Sequence, residues 1–342
     1  MIDIDQHRIT LATGVDLDVW TAGDPAAPPI VLLHGFPESH RTWRHQIPAL
    51  ATDHFVIAPD QRGYARSSKP EGVENYTPDK IVADLLALAD HFGIERFTLA
   101  GHDWGGAIAW MAALGRPDRI ARLIIVNAPH PYVFQKSLFD DPAQRRASQY
   151  ITRFRDTGID KGLVGAGLEH FFGSTFIRHV TASIAGEDKA AYLDEWSQPG
   201  AMAAMLNWYR ASSIVVPPAD GPLPDRPAFL SAPFPPVTQP TLVIWGTADK
   251  ALLPVQLDGL DALVPDLTVV TVDAGHFVPW EAPEAVTKAM RGWLAERNSR
   301  SSPLPAREGL GVGGERSELG TSASKAEASS LGLAHPPLDP LP

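Results

Sequence analysis

Cysteine is absent from the 342-residue chain, which excludes a disulfide framework and any thiolate metal site. Basic residues are in the minority, with 29 Lys and Arg against 40 Asp and Glu and a formal charge of −11. Without a basic block the chain is a poor nucleic-acid ligand, because affinity for the phosphate backbone comes from Lys and Arg displacing counterions. No stretch approaches the ~20 apolar residues that a bilayer-spanning helix needs. The opening Met1-Ile2-Asp3-Ile4-Asp5 lacks the basic flank and apolar run of a signal peptide. A cytoplasmic globular protein with no nucleic-acid or membrane partner is expected. At ~150 residues per domain its length fits one large domain or two smaller ones.

Aromatics, Ile and Met are missing from residues 299–342, where Ser, Gly and Pro dominate. Such a segment buries too little apolar surface to offset its ordering entropy, so a disordered tail is expected there.

Short apolar runs recur ahead of it: Ile30–Leu33, Phe55–Ala58, Phe97–Ala100, Leu123–Val126, Leu242–Trp245 and Leu267–Val270. Runs without polar alternation suit parallel strands buried on both faces. Between them lie amphipathic stretches such as 79–91, with Ile81, Leu85, Leu88 and Phe92 at helical spacing. The first 22 residues, centred on Gly14-Val15-Asp16, read as an antiparallel hairpin. Strands alternating with helices give an α/β doubly wound sheet. The alternation stops over 131–216, which is helical in pattern and aromatic-rich. Residues 217–240 then hold nine prolines before strands resume at Thr241. Ligands in open α/β sheets bind beyond the strands' carboxyl ends, so a helical insertion there would roof the site. The expected organisation is a core at 1–130, a helical cap at 131–216, a Pro-rich connector at 217–240, the rest of the core at 241–298 and the tail at 299–342.

The strongest local signal is Ala100-Gly101-His102-Asp103-Trp104-Gly105-Gly106, set between a strand and a helix. Small residues flanking a candidate nucleophile in a tight strand-to-helix turn form a nucleophile elbow, here with Asp103 where Ser is usual. An Asp at that place also suits N-capping of the helix. Asp249 follows the Leu242–Trp245 run, and His276 lies in the loop after the Leu267–Val272 run. The order Asp103, Asp249, His276 is the α/β-hydrolase order of nucleophile, acid and histidine. In His34-Gly35-Phe36-Pro37, at the end of the first parallel strand, glycine lets the Phe36 N–H turn toward the elbow. With the Trp104 N–H it would form an oxyanion hole.

The His-Gly-x-Pro and Gly-His-Asp-Trp-Gly-Gly motifs resemble those of the α/β-hydrolase-fold epoxide hydrolases. The likeness continues through Phe36-Pro37-Glu38-Ser39, Trp43-Arg44-His45-Gln46, Ala58–Tyr64 and Asn127–Pro131 into the cap, covering roughly 5–298. Ala65 departs from it, standing where the family usually has Gly, and a small loop change is expected. The Gly-His-Asp-Trp-Gly-Gly motif alone does not separate epoxide hydrolases from haloalkane dehalogenases. The resemblance implies an α/β-hydrolase fold with a mostly parallel sheet, helices on both faces and an inserted helical cap. It further implies hydrolysis of a small apolar epoxide by water, with no metal or other cofactor.

A carboxylate nucleophile attacks an sp³ carbon and becomes an alkyl ester, which His276, oriented by Asp249, would hydrolyse through an activated water. An epoxide leaves as a basic alkoxide and needs O–H donors, which tyrosine supplies. The family uses two cap tyrosines; Tyr150 and Tyr209, the latter in Asn207-Trp208-Tyr209-Arg210, match their positions in a chain with only six. A halide needs only N–H donors. The Asn that some haloalkane dehalogenases use would fall at Phe36, and the paired arginines of fluoroacetate dehalogenases would fall at Trp104 and Ala107. Epoxide hydrolase is therefore the better reading, with a dehalogenase as the alternative and a non-catalytic binding protein of the same fold as the remote one. Ser esterase chemistry is excluded by Asp103. Expected substrate contacts are His34, Pro37, Trp104 and Trp208, with Trp43, Phe134, Phe171 and Phe172 lining or supporting an apolar pocket. His102 and His130 are expected to pack or hydrogen-bond near the elbow.

Overall fold

Eight strands form one sheet in the computed structural model, which describes residues 2–301. They are β1 (Ile4–Thr10), β2 (Asp16–Ala22), β3 (Pro29–Leu33), β4 (Phe55–Pro59), β5 (Phe97–His102), β6 (Ile120–Val126), β7 (Thr241–Gly246) and β8 (Leu267–Val272). Their spatial order is β1-β2-β4-β3-β5-β6-β7-β8. The β1–β2 and β2–β4 pairs are antiparallel and every pair from β4 to β8 is parallel. The N-terminal hairpin and the mostly parallel sheet thus agree with the sequence reading.

The helices are α1 (Gln46–Leu50), α2 (Pro78–His91), α3 (Trp104–Gly115), α4 (Pro131–Asp140), α5 (Pro142–Ala147), α6 (Gln149–Arg155), α7 (Ala166–Phe171), α8 (Gly186–Ser197), α9 (Ala201–Ala211), α10 (Val278–Glu281) and α11 (Pro283–Ser301). Both parities of the central strands are apolar because both faces are covered. Val31, Leu33, Leu99, Ile125 and Val243 point to the side holding α2 and α3, through Ile81, Leu85 and Ile108. Ile30, Leu32, Ala100, Ile124 and Ile244 point to the other, where Ile47 and Leu50 of α1 and Val286 and Met290 of α11 pack. Burying a side chain of this size is worth roughly 1.5–3 kcal/mol, so the two layers fix which way each strand end faces.

Three expectations need correction. The Leu267–Val270 run is not buried on both faces: β8 pairs with β7 alone at the sheet edge, and Val269 is 42% exposed. Trp43 does not approach the pocket, because it packs with α1 and α11 on the opposite face of the sheet. The tail expected from 299 begins inside α11, which continues to Ser301; the remainder of 299–342 lies outside the described residues. No described helix is long and apolar enough to cross a membrane.

Helices α4 to α9 all lie between β6 and β7 in the chain. The Pro-rich stretch after them forms one short 3₁₀ turn, Ala228–Ser231, before β7. Parallel β3, β5, β7 and β8 end at the same sheet edge, so the loops that follow them converge there.

Candidate active site

Asp103 sits at the turn from β5 into α3 with φ of 49°. A non-glycine residue there is strained, at a cost of order 1–3 kcal/mol, and persists only where its surroundings over-determine it. The neighbouring glycines explain how. A Cβ on Gly101 would strike the backbone of Gly105, and one on Gly105 would strike the ends of β3 at Leu33 and His34. One on Gly106 would strike Ala128. Close backbone approach therefore forces the elbow.

The Asp103 side chain makes no capping bond to α3. Its Oδ1 instead accepts from the backbone N–H of Phe36 at 2.7 Å. Gly35 is required beside it, since a Cβ there would overlap the Asp103 side chain. Trp104 is the first residue of α3, so its N–H is among the first-turn amides that lack an intrahelical acceptor.

His276 follows β8 and brings Nε2 to 3.5 Å from Asp103 Oδ2. Its Nδ1–H donates to Asp249 Oδ2 at 2.7 Å. Asp249 is held in turn by the N–H groups of Ala251 and Leu252 on Oδ1, at 2.8 and 3.0 Å, and by Asn127 Nδ2 on Oδ2, at 2.8 Å. Asn127 also accepts from the Gly246 N–H at 2.7 Å. Asn127 stands in the resembled Asn-Ala-Pro-His-Pro segment, yet the sequence reading gave it no role. Its φ of 40° was the property that one chain could not display.

Burial alone would push the two carboxyls up and His276 down. The pairing overrides burial: Asp103 and Asp249 are held below the ordinary carboxyl range by His276, and His276 is held well above the ordinary histidine value by Asp249 and Asp103. At neutral pH the cluster is an imidazolium between two carboxylates.

Tyr150 on α6 and Tyr209 on α9 face this cluster with ring centroids 6.1 Å apart. Tyr209 packs edge-on against Trp104 at 5.1 Å and Phe36 at 5.2 Å. Arg155, also unassigned from sequence, ties the two helices by donating to Tyr209 O at 2.9 Å and Ser212 O at 3.0 Å. Burial, then the nearby Asp103 charge, pushes both phenols well above the ordinary tyrosine value. They stay protonated as donors.

Two cavities meet here. One of about 360 Å³ is lined by Asp103, Trp104, Tyr150 and Tyr209 and extends past Met111, Phe134 and Phe234. The other, of about 60 Å³, is lined by Asp103, His276, Tyr150, Tyr209, Phe36, Pro37 and Phe171. Pro37 and Trp104 thus lie on cavity walls. His34 and Trp208, expected as substrate contacts, line neither. His34 Nε2 accepts from the Gln61 N–H at 3.0 Å, and Trp208 donates to Arg62 O at 3.1 Å while packing on Tyr64 and Trp104. Both are spent as scaffold behind the wall. Phe172 lines neither cavity and packs instead among Phe176, Tyr192 and Trp196. Conversely, the Pro-rich connector contributes Pro227, Phe229 and Phe234 to the larger cavity.

Buried Glu38 joins the surroundings together, accepting from Thr42 at 2.7 Å, Tyr192 at 2.5 Å and Trp280 at 2.8 Å. Trp196 of α8 donates to Pro37 O at 2.6 Å. His102 accepts no proton here: burial, then His276, pushes it down to about 4, and its Nε2–H meets His276 O at 2.9 Å. His130 is pushed down to about 3 by burial and packs on Trp110 and Phe234.

The α/β hydrolase fold family matches residues 28–283. AB hydrolase superfamily protein YfhM of Bacillus subtilis is 36% identical, over 82% of this chain and 95% of its own. Epoxide hydrolase A of Mycobacterium tuberculosis is 32% identical, over 84% and 97%. Among solved structures, one of novel epoxide hydrolases of the α/β-hydrolase superfamily from hot-environment metagenomes is 49% identical, with a TM-score of 0.78 over 85% of this chain and 98% of that one. The Bacillus megaterium epoxide hydrolase bound to an inhibitor is 30% identical, with a TM-score of 0.75 over 84% and 100%.

Proposed function

Since the chain belongs to the α/β-hydrolase fold family and has epoxide hydrolases among its relatives, we propose that it hydrolyses an epoxide to a vicinal diol through an ester on Asp103. The observation that carries this is one junction where the nucleophile, the base and two phenols share cavity walls.

Oδ1 of Asp103 is engaged by the Phe36 N–H, which leaves Oδ2 to attack a ring carbon in line. The carbon–oxygen bond opposite breaks, and the departing alkoxide takes a proton from Tyr150 or Tyr209 while the other donates a hydrogen bond. Two raised phenol pKa values suit this role, since both donors stay protonated until the alkoxide forms.

Esterification removes the Asp103 charge that helps hold the His276 proton. The imidazolium then passes that proton to the tyrosinate left by ring opening and becomes the base for hydrolysis, so the two steps are ordered by electrostatics. Water loses a proton to His276 Nε2 and adds to the ester carbonyl carbon. The oxyanion forms at Oδ1, stabilised by the N–H groups of Phe36 and Trp104. Collapse frees the diol, and of the two protons from water one ends on the departing hydroxyl and the other on His276, which restores the imidazolium. Residues 131–216 act as the cap that supplies the phenols and keeps bulk water out.

The phenol pair also favours this reading over dehalogenation, because a halide needs no proton. Intact-protein mass spectrometry on His276→Gln, mixed separately with epoxides and haloalkanes, tests it. Without its base the ester persists: an epoxide adds its whole mass, whereas a haloalkane adds only the alkyl group. Adducts with haloalkanes alone would overturn the proposal.

A further inference from the structure

The two cavities meeting at Asp103 differ about sixfold in volume, 360 against 60 Å³. An apolar cavity of about 150 Å³ takes a benzene ring. The larger arm exceeds that and the smaller falls well short. Asp103, Tyr150 and Tyr209 line both arms, so a reacting epoxide lies at their junction with one ring carbon facing each.

Resting on the epoxide reading, we propose that the substrate class is one-sided: epoxides with one bulky apolar substituent and, on the other carbon, hydrogen or a group of one or two carbons. Met111, Leu114, Phe134, Phe229 and Phe234 surround the bulky group. Two polar side chains in that wall, Gln135 and Ser212, are already engaged. Gln135 exchanges two hydrogen bonds with the backbone of Val215, and the Ser212 hydroxyl donates to Tyr209 O. The arm therefore offers a polar substituent little, which makes the bulky group aryl or alkyl.

The small arm is walled by rings packed on one another. Phe154 lies 5.2 Å from Phe36 and 6.4 Å from Phe171, and Phe176 lies 4.7 Å from Phe277. Behind Phe154 and Phe171 is a third cavity of about 270 Å³, which shares both residues and Thr175 with the small arm. These two rings are thus the partition that sets the size limit, and removing one would join the arm to space already present.

The test compares kcat/KM for styrene oxide, with one phenyl group, and trans-stilbene oxide, with one on each carbon. Forcing a ring into the small arm should favour styrene oxide by about 100-fold in the unmodified enzyme. Phe171→Ala should cut that ratio about tenfold by opening the partition. Should this variant not fold, Phe171→Leu, which removes the ring but keeps an apolar side chain, makes the same comparison. Equal turnover of both epoxides, or a ratio unmoved by the folded variant, overturns the inference while leaving epoxide hydrolysis standing. Turnover of neither, together with no adduct on His276→Gln, removes the epoxide reading and the inference with it.

Discussion

Asn127 Nδ2 and His276 Nδ1 converge on the same carboxylate oxygen, Oδ2 of Asp249, at 2.8 and 2.7 Å. With Oδ1 taken by two backbone amides, Asp249 has no alternative orientation. The imidazole inherits that hold, and its Nε2 is aimed at Asp103 Oδ2.

Asn127→Gly should separate this positioning from folding. Glycine tolerates the φ of 40°, so the backbone survives while Asp249 Oδ2 and the Gly246 N–H each lose a partner. Unfolding free energy should drop by about 2 kcal/mol. Ester hydrolysis should slow about tenfold as His276 loses its fixed aim, with alkylation less affected. Urea titration and single-turnover kinetics check the two parts.

Stability should fall on both sides of a plateau. His276 has a raised folded pKa, so its contribution is complete below its unfolded value of about 6.5 and is lost as pH climbs from there through the folded value. Asp103 and Asp249 have depressed folded values, so theirs is complete above about 3.9 and is lost as pH falls through them. Urea midpoints from pH 3 to 10 measure both limbs, and His276→Gln should flatten the alkaline one.

Tyr150→Phe and Tyr209→Phe should each slow alkylation about 100-fold and leave hydrolysis nearly unchanged. In the unmodified enzyme, alkylation should not decline through pH 10, because both phenols ionise well above the ordinary tyrosine value. Rapid-mixing rates for the separate steps decide this, and a loss confined to hydrolysis would refute the donor role.

Ala65→Gly should stabilise the fold. Ala65 adopts φ of 44°, where a methyl group costs roughly 1–2 kcal/mol, partly offset by the greater freedom of glycine in the unfolded chain. The expected net gain is about 1 kcal/mol, read from the urea midpoint, with turnover unchanged.

The chain order of Asp103, Asp249 and His276 was legible because each follows an apolar run, and parallel strands bring such ends to one edge. The elbow glycines were legible because the turn leaves no room for Cβ. Trp43 was misread because the face of the sheet it meets depends on packing against α1 and α11, which motif position does not encode. His34 and Trp208 carry recognisable motifs, yet their polar atoms are consumed by Gln61 and Arg62, partners distant in sequence. Phe229 and Phe234 were hidden by their setting, since a proline-rich stretch carries no periodicity from which to infer a buried side. The exposure of β8 is not legible because the order of strands across a sheet is not written in any one strand.

The contacts from α8 to the Phe36–Glu38 loop have a mechanical consequence. Tyr192 and Trp196 grip Glu38 and Pro37, on the same loop that presents the Phe36 N–H to Asp103. A hinge lifting α8 would have to break these two bonds or carry the loop, and with it the amide on Asp103 Oδ1, along with the helix.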